Sequence, residues 1–117
     1  LPMTLTIYHN PRCSKSRQTL ALLRERGFEP DTIEYLKQAP SVAELEHIIR
    51  LLGIRPRELL RTGEAEYREL GLDQSGVADQ QLLEAMSKHP RLIQRPIVVH
   101  GDQARIGRPP EIVLEIL

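Results

Sequence analysis

The sequence predicts an α/β protein with one small mixed sheet and helices on its faces. Three observations lead there: a strand, a helix and a second strand follow one another in the N-terminal third, residues 41–90 read as helical, and residues 96–117 read as a hairpin closed by a helix. A chain of 117 residues holds one compact core more readily than two. The expectation is therefore a single domain over residues 3–117, with a helical insertion at about 41–90 between an N-terminal βαβ and a C-terminal ββα. Leu1 and Pro2, ahead of Met3, fall outside it.

The first strand is "TLTIYH" (4–9), where apolar or β-branched residues alternate with polar or aromatic ones. From about Ser14 to Arg26, Leu20 and Leu23 share a helical face, and Gly27 followed by Phe28 supplies a left-handed ending with an apolar residue to close it. "DTIEYL" (31–36) is the second strand. A strand-helix-strand unit this short makes a parallel pair, which puts the turn at residues 9–16 on the carboxyl edge of the first strand. Ser41 with Glu44 is a capping box, and Leu45, Ile48, Ile49 and Leu52 keep helical spacing up to Gly53. "PRELLR" (56–61) and "AEYREL" (65–70) read as short helical pieces. A further helix starts near Asp79, turns Leu82, Leu83 and Met86 inward and stops before Pro90. "PIVVHGDQARIG" (96–107) carries two apolar runs around "HGDQ", a hairpin signature, and the proline pair of "PPEIVLEIL" suits the first turn of a closing helix.

Charge and cysteine content narrow the function. Lys plus Arg balances Asp plus Glu at 16 each, which argues against nucleic-acid or membrane-surface binding through a general basic face. Any anion site must then be local. No apolar run approaches 18 residues and no signal-peptide pattern is present, so a cytoplasmic location is expected. Cys13 is the one cysteine, so no internal disulfide can form, as suits a reducing compartment.

Cys13 lies in "HNPRCSKS" (9–16), at the strand-to-helix turn. A thiol attacks only as thiolate, and an ordinary pKa of about 8.5 leaves it mostly protonated at neutral pH. A helix N-terminus offers unpaired N–H groups and partial positive charge, while Arg12, Lys15 and Arg17 offer full charges; the same features hold oxyanions. Asn10 and Pro11 read as cap and first-turn proline, and Ser14 and Ser16 bring short hydroxyls. His9 suits an anchoring hydrogen bond better than catalysis. A lone cysteine is often just a small buried apolar residue, but these neighbours fit such a site poorly. Thr19 occupies the sixth position after Cys13, where a phosphatase-type C-x5-R loop needs arginine, and Ser16 replaces the second cysteine of a C-x-x-C dithiol. A one-thiol arrangement is left. Arg61, Arg95 and Arg108 each end an element or precede proline, where guanidinium groups could converge on a tetrahedral oxyanion. Taken alone, each is better explained as a surface charge.

"IYHNPRCSKSR", "LLR", "LIQRPIVV" and "RIGRP" resemble, in order and from residue 4 almost to the C-terminus, the corresponding segments of the glutaredoxin-coupled arsenate reductase family of arsenical resistance. The resemblance implies a thioredoxin-like fold, Cys13 as nucleophile, Arg61, Arg95 and Arg108 as oxyanion ligands, and His9, Asn10, Ser16 and Arg17 as supporting residues. It also implies a cis Arg95–Pro96 bond facing the cysteine. Arsenate or a related oxyanion would be the substrate, glutathione the co-substrate and glutaredoxin the protein partner, with no metal or bound cofactor. Two departures stand out: Ser14 and Lys15 follow Cys13 where arsenic-detoxifying members carry smaller neutral residues, and the chain ends at Leu117 where many members continue. Two other functions compete. A glutathione-dependent thiol reductase or monothiol glutaredoxin-like protein has no use for the arginine before Pro96, and a thioredoxin-fold regulator of RNA polymerase typically carries the C-x-x-C switch missing here.

Overall fold

The computed structural model describes residues 4–117, so Met3, where the expected domain begins, lies outside the described residues together with Leu1 and Pro2. The chain forms two compact units, one made of the chain up to Gln38 with Arg95–Leu117, the other of Ala39–Gln94.

The first unit carries the sheet. Strands β1 (Leu5–His9), β2 (Asp31–Glu34), β3 (Ile97–His100) and β4 (Gln103–Ile106) lie in the order β2-β1-β3-β4, with helix α1 (Ser14–Glu25) between β1 and β2. β1 and β2 are parallel, whereas β3 runs antiparallel to both β1 and β4. Register follows the apolar alternation: Leu5 and Ile7 of β1 and Val98 of β3, which pairs with Ile7, meet Leu23 of α1 and Val113 and Ile116 of the C-terminal segment in one buried cluster. Each such aliphatic side chain contributes about 1.5–3 kcal/mol when fully buried. α1 ends as its sequence requires, with Gly27 at φ 86° and the Phe28 N–H bonded to the Leu23 carbonyl.

In this unit one boundary and one helix type differ from expectation. The strand read as 31–36 stops at Glu34, because the N–H groups of Lys37 and Gln38 turn back onto the Glu34 carbonyl and take Tyr35 and Leu36 out of the ladder. The closing helix is a 3-10 segment over Pro110–Ile116 rather than an α-helix. Its buried residues Pro110, Val113 and Ile116 fall three apart, the repeat at which side chains eclipse in a 3-10 helix, so all three face the core. His100 Nδ1 and the Ile116 carbonyl, 2.6 Å apart, tie the segment to β3.

The second unit is helical: α2 (Val42–Leu52), a 3-10 turn (Pro56–Leu59), α3 (Ala65–Glu69), α4 (Asp79–Lys88) and a 3-10 turn (Pro90–Leu92). Ser41 Oγ accepts the Glu44 N–H at 3.1 Å, and Gly53 closes α2 at φ 69°. Leu45, Ile48 and Ile49 are buried on α2, and Leu82, Leu83 and Met86 on α4, against which α2 packs. The helical piece read as 56–61 ends at Leu59. Leu60 turns extended and bridges Ile93, with Arg61 N–H on the Leu92 carbonyl at 2.7 Å and Gln94 N–H on the Leu59 carbonyl at 2.9 Å. No helix among the described residues is long and apolar enough to cross a membrane.

Candidate active site

The turn after β1 is wound by its own hydrogen bonds. Cys13 N–H donates to the Asn10 carbonyl at 3.0 Å, Arg12 N–H to Asn10 Oδ1 at 3.0 Å, and Arg17 Nη1 to the Pro11 carbonyl at 3.0 Å. This corrects the expected cap: Asn10 and Pro11 belong to a turn ahead of the helix, and the N-cap residue of α1 is Cys13 itself, in extended conformation. Its side chain makes no conventional capping bond, but the N–H groups of Ser16 and Lys15 lie close enough to favour negative sulfur.

Cys13 is buried, at 8% exposure. Burial pushes its thiol pKa up, yet the Ser16 N–H, the hydrogen bond and positive charge of Arg95, and the Lys15 N–H outweigh it and hold the thiol below its ordinary value. The side-chain charges of Arg12, Lys15 and Arg17, offered by the sequence for this task, belong to exposed residues and are not among the groups that act on the sulfur. Arg17 braces the turn instead.

His9 and Ser16 form the floor of the turn. Ser16, fully buried, places Oγ 2.6 Å from His9 Nδ1 and accepts the Asn10 N–H at 3.0 Å. Burial foremost holds the His9 imidazole below its usual pKa; Glu34 opposes, and the charges of Arg24 and Arg17 reinforce the shift. A neutral, buried, hydrogen-bonded histidine is an anchor, in agreement with the sequence reading.

Across from the turn, the Arg95–Pro96 bond is cis, as the resemblance implies, and so is Arg108–Pro109, which the sequence reading did not raise. Arg95 Nε and Nη1 are buried with no hydrogen-bond partner among the described residues. Buried donors are nearly always satisfied, so a guanidinium left open beside a thiolate-favouring sulfur fits an anion. Arg108 Nε donates to the Arg95 carbonyl at 2.8 Å, linking the two arginine loops. Gly107 makes the approach possible: its N–H bonds the Pro96 carbonyl at 2.9 Å, and a Cβ there would lie 2.7 Å from Thr19 Oγ1 and 2.9 Å from Pro96 Cγ.

Sequence reasoning missed Tyr35 as a site residue. Pairing of His9 with Glu34 places it just beyond β2, level with Asn10 at the carboxyl edge of the parallel pair. It is 2% exposed, and the Asn10 side chain and the charges of Arg95, Cys13 and Arg108 bear on its ionisation. Burial chiefly raises its pKa to about 12. The available signal was positional, since ligands of open α/β sheets gather at the carboxyl ends of strands.

Arg61 belongs to the second unit. Its guanidinium pairs with Glu64, which also takes Arg91 Nη2 at 3.0 Å. Arg91 reaches Glu66 Oε2 at 3.7 Å, while Glu66 Oε1 is buried without a partner among the described residues. No group of three or more His, Cys, Asp and Glu among the described residues is arranged to hold a metal ion.

The model of the ArsC family matches residues 8–116. Over 98% of this chain and the whole of its own length, "Arsenate reductase" of Haemophilus influenzae is 51% identical. "Uncharacterized protein YfgD" of Escherichia coli is 51% identical over 95% of this chain and 94% of its own. The solved structure of "Arsenate reductase from Vibrio cholerae" superposes with a TM-score of 0.96 at 52% identity, covering both chains completely. The fold shared with that structure is the thioredoxin-like one.

Proposed function

This chain belongs to the ArsC family, and from that premise we propose that it is an arsenate reductase using Cys13 as its single nucleophile and glutathione with glutaredoxin as its source of electrons. The observation that carries the proposal is that two buried nitrogens of the Arg95 guanidinium have no hydrogen-bond partner among the described residues, while the same side chain holds the Cys13 thiol toward thiolate. In this reading Arg95 and Arg108 hold arsenate and neutralise charge that builds on its oxygens. The Cys13 thiolate attacks arsenic and an oxygen leaves as water after protonation. Glutathione sulfur then bonds to Cys13 sulfur as the sulfur–arsenic bond breaks, and arsenic departs with that electron pair as As(III). Glutaredoxin returns the mixed disulfide to thiol. His9, Asn10, Ser16 and Arg17 keep the turn in shape.

The test is arsenate-dependent NADPH oxidation in the presence of glutathione, glutathione reductase and glutaredoxin. Turnover that disappears in Cys13→Ser is expected. No arsenate-dependent oxidation by the wild type would overturn the reading, and arsenate-independent reduction of glutathione mixed disulfides would favour a general thiol reductase instead.

A further inference from the structure

We propose that the cleft beside the Cys13 turn binds glutathione through Arg12, Glu34 and Lys37; this rests on the glutathione dependence proposed above. The cleft, of about 260 Å³, is walled by residues 9–12 of the turn and, facing them, by Glu34, Leu36 and Lys37 where the chain leaves β2. Parallel pairing, with His9 opposite Glu34, brings the two stretches together at the carboxyl edge of β1 and β2, where ligands of open α/β sheets gather. The wall ends at Arg12, one residue short of Cys13, whose N–H is bonded to the Asn10 carbonyl at 3.0 Å. Consecutive Cα atoms lie about 3.8 Å apart and an extended tripeptide spans about 10 Å, so a tripeptide seated here has the reach to bring its sulfur to the nucleophile. The charges select the kind of thiol. The Arg12 guanidinium has no hydrogen bond or ion pair among the described residues. Lys37 Nζ lies 3.6 Å from Glu34 Oε1, and both side chains remain open to solvent. Leu36, apolar yet exposed, adds an apolar face. Two cations and one carboxylate complement the two carboxylates and one ammonium that glutathione carries on either side of its thiol. The adjacent Lys37–Glu34 pair matches the γ-glutamyl end, where carboxylate and ammonium share one carbon, and the lone Arg12 matches the lone glycine carboxylate.

Glutathione disulfide brings the same groups to Cys13 without arsenate. The thiolate attacks one of its sulfurs, the Cys13–glutathione disulfide forms, and the other glutathione leaves as thiolate with the electron pair of the broken S–S bond. The experiment follows this adduct on the full chain by mass spectrometry, beside 2-hydroxyethyl disulfide, which is neutral, and dithiodiglycolate, which has carboxylates but no ammonium. In the wild type the rate with glutathione disulfide should saturate, and that with 2-hydroxyethyl disulfide should stay linear. Arg12→Ala and Lys37→Ala should each slow the reaction with glutathione disulfide about two- to fivefold, the effect of an exposed ion pair, and leave that with the neutral reagent unchanged. Glu34→Gln should slow glutathione disulfide but not dithiodiglycolate. Iodoacetamide should alkylate all four proteins at one rate; a variant that changes it acts on the sulfur and loses its place in the cleft. Linear kinetics with glutathione disulfide, or a Glu34→Gln variant that reacts faster with both acidic reagents, the mark of long-range charge alone, would overturn the site. Arsenate turnover with linear kinetics here removes this site alone, whereas saturation here without arsenate turnover removes the arsenate reductase alone.

Discussion

Fixed dipoles and one charge hold the Cys13 thiol toward thiolate: two N–H groups of the first helical turn and the guanidinium of Arg95. Its alkylation rate should accordingly inflect at lower pH than that of an ordinary thiol, and Arg95→Ala should move the inflection up toward the free-thiol value. An unshifted inflection in Arg95→Ala would show that the helix N-terminus acts alone. The lowered value also has a stability consequence. The folded state favours thiolate, so the gain is full above the unfolded thiol pKa and is lost as pH falls through the folded value. Compared with Cys13→Ser, the wild type should gain stability across that window in urea titrations at stepped pH. His9 gives a second pH effect. Its folded pKa is depressed, so stability held above the ordinary imidazole value should fall as pH drops from there through the folded value.

At the scale of elements, the site depends on the fit of α1 against the loops that follow the cis peptide and β4. Gly107→Ala places a methyl group within 3 Å of both Thr19 and Pro96. Thr19 is fully buried and donates to the Lys15 carbonyl at 2.8 Å, so it cannot swing clear freely. The variant should lose about 1–3 kcal/mol by urea unfolding, the usual cost of overpacking, and should lose arsenate turnover through displacement of Arg108. Ser16→Ala tests the other side of α1. It strands the buried His9 Nδ1 and the part-buried Asn10 N–H and should cost about 1–3 kcal/mol. Unchanged stability would mean that water replaces the hydroxyl.

For the molecule as a whole, the decisive constraint is electron counting. Reduction of As(V) to As(III) takes two electrons, the number released when two thiols close one disulfide, and this sequence contributes one thiol. Enzyme quenched during turnover with arsenate and glutathione, but without glutaredoxin, should carry glutathione on Cys13 by mass spectrometry. Added glutaredoxin should clear it. Unmodified Cys13 under those conditions, or reduction by thioredoxin with no small thiol present, would refute the proposed electron route.

Local pattern alone determined α1, α2, α4, the parallel β1–β2 pair, the hairpin and the place of Cys13, because each is written in neighbours: alternation, helical spacing, Gly27, Gly53 and the Ser41 cap. Local residues also sufficed to single out Cys13, whereas the family resemblance was needed to nominate Arg95 and to expect the cis bond between Arg95 and Pro96. Tertiary structure decided the rest, for reasons that sequence distance hides. The last segment is a 3-10 helix because Pro110, Val113 and Ile116 must all meet one core. The cation that acts on Cys13 is Arg95, far along the chain, whereas Arg12 and Lys15 beside it lie exposed. Tyr35 lies level with Asn10 because strand pairing carries it there, and a tyrosine in a strand-like stretch bears no local mark of that. Sequence spacing reports what a residue can reach within a turn or two, and only the folded backbone reports which distant donors share its space.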